Sequence, residues 1–290
     1  MNKYKVIQRL LIFFIGLPGV AALIIFLPHY NHLPLNLFVV LVSSVGAVEF
    51  ALMLKAKGFP VYVAEAAVLG SLSPLAATFI VSFDTNSQIT QFLFIIGASW
   101  VLVSEIFYYK TRSATSDFSL VLYRLTAAFS VMIYPGLLLS WVITMASLKH
   151  ATIVLLAFVF TVMANDSLAW VTGMLFGKNN RGIFPVSPNK SIAGYTGGMI
   201  ASIGVCIAMA YAVPGAFEPD QMAKLPSAML LGFFSGIAVI LGDLAESAIK
   251  RSSGFKDSGR IFPGRGGILD STDSIALTAP LFYVLYRFFF

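Results

Sequence analysis

An all-α, polytopic membrane fold with about nine transmembrane helices is what this 290-residue sequence predicts. Its composition is 58% hydrophobic and only 11% charged, against about a quarter charged in soluble domains. Mean hydropathy is +0.86. Apolar runs repeatedly exceed the ~18 residues that carry a helix across about 30 Å of hydrocarbon. The cations also alternate from one inter-run segment to the next, as topology demands of a multi-span chain.

Taken in order, the runs predict spans near 8–28, 34–56, 61–83, 88–109, 119–145, 150–177, 192–213, 226–249 and 267–289. The first lacks a small-residue cleavage site and leads directly into a second span, so it reads as a retained helix, not a signal peptide. Arg9 anchors its start, Pro18 is placed to kink it, and "PHYNHLP" supplies an uncharged turn after it. Cys206, the one cysteine, falls inside a span and forms no intrachain disulfide.

With a cytoplasmic N-terminus, the inner segments hold Lys3, Lys5, Arg9, Lys55, Lys57, Lys110, Arg112, Lys178, Arg181, Lys190, Lys250, Arg251, Lys256, Arg260 and Arg265. The outer segments hold Lys149, Lys224 and Arg287, and Arg124 lies within a span. This bias puts the two richest loops, 178–191 and 250–266, in the cytoplasm. It also accounts for most of the net charge of +6, together with anionic headgroups, and excludes a nucleic-acid partner.

Charge inside a span is costly and marks function. Three groups stand out: Asp166 in "MANDSLAW"; Asp243, Glu246 and Lys250 in "GDLAESAIKR"; and Asp270 and Asp273 in "GGILDSTDS". The spacings i, i+3, i+7 and i, i+3 put each multi-residue group on one helix face. A short loop joins spans eight and nine, which are expected to be antiparallel neighbours, so Asp243 and Asp270 are expected to converge beneath the cytoplasmic surface. Clustered carboxylates suit a hard cation such as Mg²⁺. Lysines, arginines and glycine turns suit phosphates. The combination reads as metal-assisted phosphoryl or nucleotidyl transfer on a lipid.

Simpler roles account for other residues. The basic loops also serve topology, and Asp166 taken alone equally fits a proton relay or an interhelical hydrogen bond. Glu49 and Glu65 are read as structural, Glu49 at most supporting a ligand without touching the ion. Asp84, Glu105 and Asp117 sit at span ends; His29, His32 and His150 lie on the outer side. Trp100, Trp141 and Trp170 are packing or belt residues, and "GMLFG" and "GYTGG" fit helix-packing glycines.

The stretch "LGDLAESAIKRSSGFKDSGRIFPGRGGILDSTDS" resembles the signature of the phosphatidate cytidylyltransferases, or CDP-diacylglycerol synthases. Ser247, Lys250, Arg251, Lys256, Asp257, Pro263, Gly266, Gly267, Asp270 and Asp273 fit its spacing. Upstream, Asp166–Trp170, Gly177–Lys178 and Ser187–Ser191 are similar to the family's second region. Two positions depart from the pattern: Arg265 stands where the family has histidine, and Ser271 where it has arginine. The resemblance is specific over about 165–280.

It implies transfer of the cytidylyl group of CTP to phosphatidate, giving CDP-diacylglycerol and pyrophosphate. It implies Asp243, Asp257, Asp270, Asp273 and Lys250 as catalytic residues, and Mg²⁺, with room for a second monovalent or divalent cation, on Asp243, Asp270 and Asp166. Phosphate contacts would come from Lys178, Ser187, Lys190, Arg251, Lys256, Arg265, Gly266 and Gly267. The expected organisation is a scaffold over 1–148 and a catalytic region over 149–290, in a homodimer in the cell's inner membrane. A CTP-dependent lipid kinase and an ion-coupled transporter are the alternatives.

Overall fold

The computed structural model describes the backbone of residues 3–112, 120–219, 222–262 and 266–290, and the side chains of the same residues except 3–14 and 105–112. Among the described residues the regular elements are helices, with no strand beyond isolated bridges. They are α1 (Lys3–Phe26), α2 (His29–Ala56), α3 (Val63–Phe83), α4 (Gln88–Arg112), α5 (Val121–Met145), α6 (Ala151–Phe176), α7 (Ile192–Ala212), α8 (Lys224–Ser253) and α9 (Leu269–Phe289). Of these, α2, α3, α5, α6, α7 and α8 are long and apolar enough to cross a membrane, while α1 and α4 contribute shorter apolar stretches. The protein is an all-α, polytopic membrane protein.

Three local departures from the expected spans have physical causes. The turn after α1 is left-handed: Tyr30, Asn31 and His32 all have φ between 50° and 60°. It is held by Asn31 Nδ2, which donates to the Val81 carbonyl at 2.6 Å, and by Asn36 Nδ2, which donates to the Asn31 carbonyl at 2.9 Å. Helix α5 widens to a π-turn over Met132–Leu137, where Pro135 removes a backbone donor. Helix α8 runs past the expected end at 249 to Ser253, because Lys250 and Arg251 favour helix and complement its C-terminal dipole.

The chain forms two compact units: residues 1–144 with 252–271, and residues 145–251 with 272–290. The segment 252–271, expected within a continuous catalytic half, therefore packs with the N-terminal helices.

In the first unit, small residues bring α2, α3 and α5 together. Ser43 Oγ on α2 donates to the carbonyls of Gly70, at 2.8 Å, and Pro135. A Cβ on Gly136 would come within 2.9 Å of the Gly70 oxygen, so only glycine permits this approach. Beside it, Leu69, Val101, Ala128 and Met132 form a buried apolar cluster.

A second clasp in this unit joins α3, α4 and α5. Arg124 Nη2 donates to both oxygens of Glu65, at 3.1 and 2.9 Å, and to Ser104 Oγ at 3.2 Å. Trp100 Nε1 donates to Glu65 at 2.8 Å, and the Arg124 guanidinium lies 4.6 Å from the Tyr62 ring centre.

In the second unit, α6 and α7 pack through the glycines of "GYTGG": a Cβ on Gly197 would strike Thr172, and one on Gly198 would strike Asn165. Asn165 Nδ2 donates to Ser202 Oγ at 2.8 Å, and Thr161 and Cys206 meet at 3.4 Å. These glycines serve helix packing, the role their sequence context suggested. Phe158 and Phe282 stack edge-on with ring centres 5.3 Å apart, joining α6 to α9.

Candidate active site

The second unit brings four carboxylates together from three helices. Asp273, on α9, is buried, and Asp243 and Glu246 on α8 and Asp166 on α6 all act on it electrostatically. Its nearness to α8 follows from Gly242, where a Cβ would sit 2.6 Å from the Asp273 carbonyl oxygen. Asp166 accepts from Ser274 Oγ at 3.5 Å, and Asp273 Oδ1 accepts from the Ser274 N–H at 2.6 Å.

Two lysines answer this negative charge. Lys190, at the end of the first basic loop, forms an ion pair with Asp243, and both are partly exposed. Lys250 pairs with the fully buried Glu246 one helical turn away. The first loop is shaped to deliver Lys190. The Gly182 N–H donates to the Lys190 carbonyl at 3.1 Å, and the Ile192 N–H donates to the Asn180 carbonyl at 3.0 Å. Ser191 then caps α7, its Oγ accepting from the Gly194 N–H at 3.1 Å. Gly177 is required here because a Cβ would collide with Ser191.

The first unit organises the second loop around two other carboxylates. Asp270 Oδ2 accepts from the Ser258 N–H at 2.6 Å, Ser258 Oγ at 2.9 Å and the Gly267 N–H at 2.8 Å. Glu49, on α2, accepts from Ser258 Oγ at 2.9 Å and from the N–H groups of Ile268 and Leu269, both at 3.0 Å. Phe262 and Gly266 exchange backbone hydrogen bonds of 2.8 and 3.0 Å, closing the loop. Gly266 has φ +117°, and a Cβ there would overlap the Asp270 carboxylate; one on Gly267 would overlap Glu49 and Ser258.

The expected site residues are thus distributed. Asp166, Lys190, Asp243, Lys250 and Asp273 gather in the second unit, and Asp270, Gly266 and Gly267 in the first. Lys178, Arg251, Lys256 and Asp257 are solvent-exposed, and Ser187 is half-buried in the turn that precedes Lys190. The N–H groups of Gly266 and Gly267, expected to face phosphate, donate instead to Phe262 and Asp270. Arg265 lies outside the described residues. Sequence reasoning placed Glu246 on the functional face with Asp243 and Lys250 but gave it no individual role. It also gave Glu49 no link to the loop, and a lone mid-span carboxylate holds no local cue to a partner more than 200 residues away.

All these donors are carboxylate oxygens, the ligand type of a hard divalent cation. Among the described residues no three His, Cys, Asp or Glu side chains form a ready-made cage. Mg²⁺ ordinarily takes one or two carboxylates and fills its shell with water and substrate phosphate, so the donor set fits that ion.

Intramembrane carboxylates, two of them paired with lysines, and two basic loops on a lipid-spanning helical scaffold define a membrane-embedded enzyme of the phosphate-transfer kind. The chain belongs to the cytidylyltransferase family, whose profile matches residues 7–289. It is 32% identical over 274 residues to the phosphatidate cytidylyltransferase of Staphylococcus haemolyticus (strain JCSC1435), covering 93% of this chain and 96% of the relative. The Staphylococcus saprophyticus enzyme of the same name is 33% identical over 276 residues, with the same coverage. That of Staphylococcus aureus (strain COL) is 33% identical over 199 residues, 68% of this chain and 70% of the relative.

Proposed function

We propose that this protein transfers the cytidylyl group of CTP to phosphatidate, releasing CDP-diacylglycerol and pyrophosphate for phospholipid synthesis. The observation that carries the reading is the match to phosphatidate cytidylyltransferases over 93% of the chain, together with a family profile whose span, residues 7–289, takes in the carboxylate–lysine cluster. Neither the lipid kinase nor the transporter is favoured by these relatives.

A phosphatidate oxygen attacks the α-phosphorus of CTP, and the bond from that phosphorus to the bridging oxygen of the β-phosphate breaks. The attacking oxygen is already anionic at neutral pH, so no protein nucleophile or general base is needed. The barrier is set by the approach of two polyanions and by charge building on the leaving pyrophosphate. Lys190 and Lys250 hold positive charge at the carboxylate cluster, and the exposed Lys178, Arg251 and Lys256 extend it along the loops. Mg²⁺ would be held by Asp243 and Asp166, the resemblance also naming Asp270 as a ligand, and would neutralise phosphate charge. Asp273 lies in the field of Asp243, Glu246 and Asp166, and Asp257, exposed in the second loop, would orient a lysine. Ser187 holds the turn leading to Lys190. The cation bias supports a cytoplasmic N-terminus with both loops on that face, and the family resemblance supports a homodimer.

The test is detergent-solubilised protein with radiolabelled CTP and phosphatidate, with and without Mg²⁺. Label in a CDP-lipid plus released pyrophosphate is the expected result. CDP with a newly phosphorylated lipid would establish the kinase instead, and no nucleotide turnover would overturn both.

A further inference from the structure

Glu49 supplies something the second loop lacks. Helix α9 starts at Leu269 after Gly266, Gly267 and Ile268, none of which has a side-chain acceptor for the unpaired N–H groups of its first turn. Glu49 meets that need from another helix, accepting the N–H groups of Ile268 and Leu269, each at 3.0 Å. A carboxylate at a helix N-terminus is also favoured by the helix dipole.

The same carboxylate accepts from Ser258 Oγ at 2.9 Å. Ser258 in turn donates to Asp270 Oδ2 through its N–H, at 2.6 Å, and its Oγ accepts from the Asp270 N–H at 3.2 Å. Glu49 is only 5% exposed, and the Cβ positions denied to Gly259 and Gly267 are occupied by its carboxylate. The loop is folded around this side chain. A buried charge in a lipid-length helix is expensive, and among the described residues its donors are backbone and hydroxyl groups of a single loop.

We propose that Glu49 is a positioning residue for the reaction: it fixes Ser258 and the first turn of α9 so that Asp270 is held in one orientation. The proposal rests on the reading of Asp270 as a site carboxylate, and it requires no contact between Glu49 and substrate.

The experiment uses the full-length protein in detergent and three variants, Glu49→Gln, Glu49→Ala and Ser258→Ala. The first readout needs neither metal nor substrate: the rate of tryptic cleavage after Lys256 and Arg260, followed by mass spectrometry, relative to cleavage after Lys178 and Arg181. The proposal predicts that cleavage in the second loop accelerates at least ~10-fold in Glu49→Ala and Ser258→Ala, while the first-loop rate stays put. The second readout is the half-saturating Mg²⁺ concentration for CDP-lipid formation, expected to rise roughly 10- to 100-fold in Glu49→Gln, the range seen when a partner orienting a metal ligand is removed. Glu49→Gln keeps the side chain's size, so it reports even if the alanine variant does not fold. Cleavage that rises equally in both loops, or a Glu49→Gln enzyme with unchanged cleavage and unchanged Mg²⁺ dependence, overturns the assignment. A wild-type protein that makes no CDP-lipid would count against the proposed function instead, and the cleavage comparison would still decide the role of Glu49.

Discussion

Replacing Arg124 with methionine should destabilise the first unit more than any loss of packing would. Arg124 is 2% exposed, and its guanidinium donates to both oxygens of Glu65 and to Ser104. Methionine keeps most of the aliphatic volume, so the cost is chiefly electrostatic: a largely buried carboxylate loses its counter-charge and retains the Trp100 donor at 2.8 Å. Breaking such a pair from one side costs about 3–5 kcal/mol, because the remaining charge is stranded. For a unit of this size that corresponds to a fall in Tm of roughly 6–20 °C. Adding Glu65→Gln to Arg124→Met removes the stranded charge and should restore at least ~1 kcal/mol of the loss. The assay is thermal unfolding of the purified variants in one detergent, with the coupling taken from the double-mutant cycle. If Arg124→Met melts within a degree or two of wild type, or if the double variant falls by the sum of the singles, the pair is a solvated surface bridge and the reasoning fails.

Asp243→Asn and Asp273→Asn should each abolish CDP-lipid formation while leaving Tm at or above the wild-type value, since each removes one charge from a group of four carboxylates; turnover near wild type at limiting Mg²⁺ would refute the site. Gly267→Ala should lower both turnover and Tm, by about 1–3 kcal/mol for overpacking against Glu49 and Ser258, read by activity and unfolding together. In a Cys206→Ala background, Asn179→Cys and Phe255→Cys should resist a membrane-impermeant thiol reagent in sealed cells and react after permeabilisation; labelling from outside would invert the topology. Arg265→Ala should reduce kcat/KM by the ~1.5–3 kcal/mol of a charged hydrogen bond to phosphate, and Arg265→His with Ser271→Arg should restore it; an unaffected Arg265→Ala would leave that residue a topology charge only.

The fold was legible because bilayer physics writes itself into local sequence. A helix must satisfy its own backbone in lipid, so each span is a contiguous apolar run that can be read without knowing its neighbours. What could not be read was where conformation depends on contacts between distant segments. The left-handed turn at Tyr30–His32 is fastened by the Val81 carbonyl, and the π-turn around Pro135 fits Ser43 and Gly70 from two other helices. Neither partner is visible within a sequence window around the turn.

The site shows the same division in its chemistry. Asp243, Glu246 and Lys250 were readable as one face because helical spacing is local, and the Glu246–Lys250 pair is the direct product of that spacing. The Lys190–Asp243 pair joins residues 53 apart, and the loop that delivers Lys190 is set by backbone bonds between its two ends. This pairing bears on the mechanism. A carboxylate reserved for a metal ion would carry uncompensated charge in the resting protein, and a desolvated charge without a partner is strongly unfavourable. Lys250 relieves that penalty at the buried Glu246, and Lys190 compensates the partly exposed Asp243. A cation arriving at Asp243 would compete with the ammonium, and the displaced lysine, at the end of its loop, would then be available to the triphosphate that arrives with the ion. On this argument Lys190→Ala should tighten Mg²⁺ binding in the absence of nucleotide while raising KM for CTP. A purely phosphate-binding lysine would raise KM and leave Mg²⁺ affinity where it was, so titrating Mg²⁺ against the nucleotide-free variant separates the two.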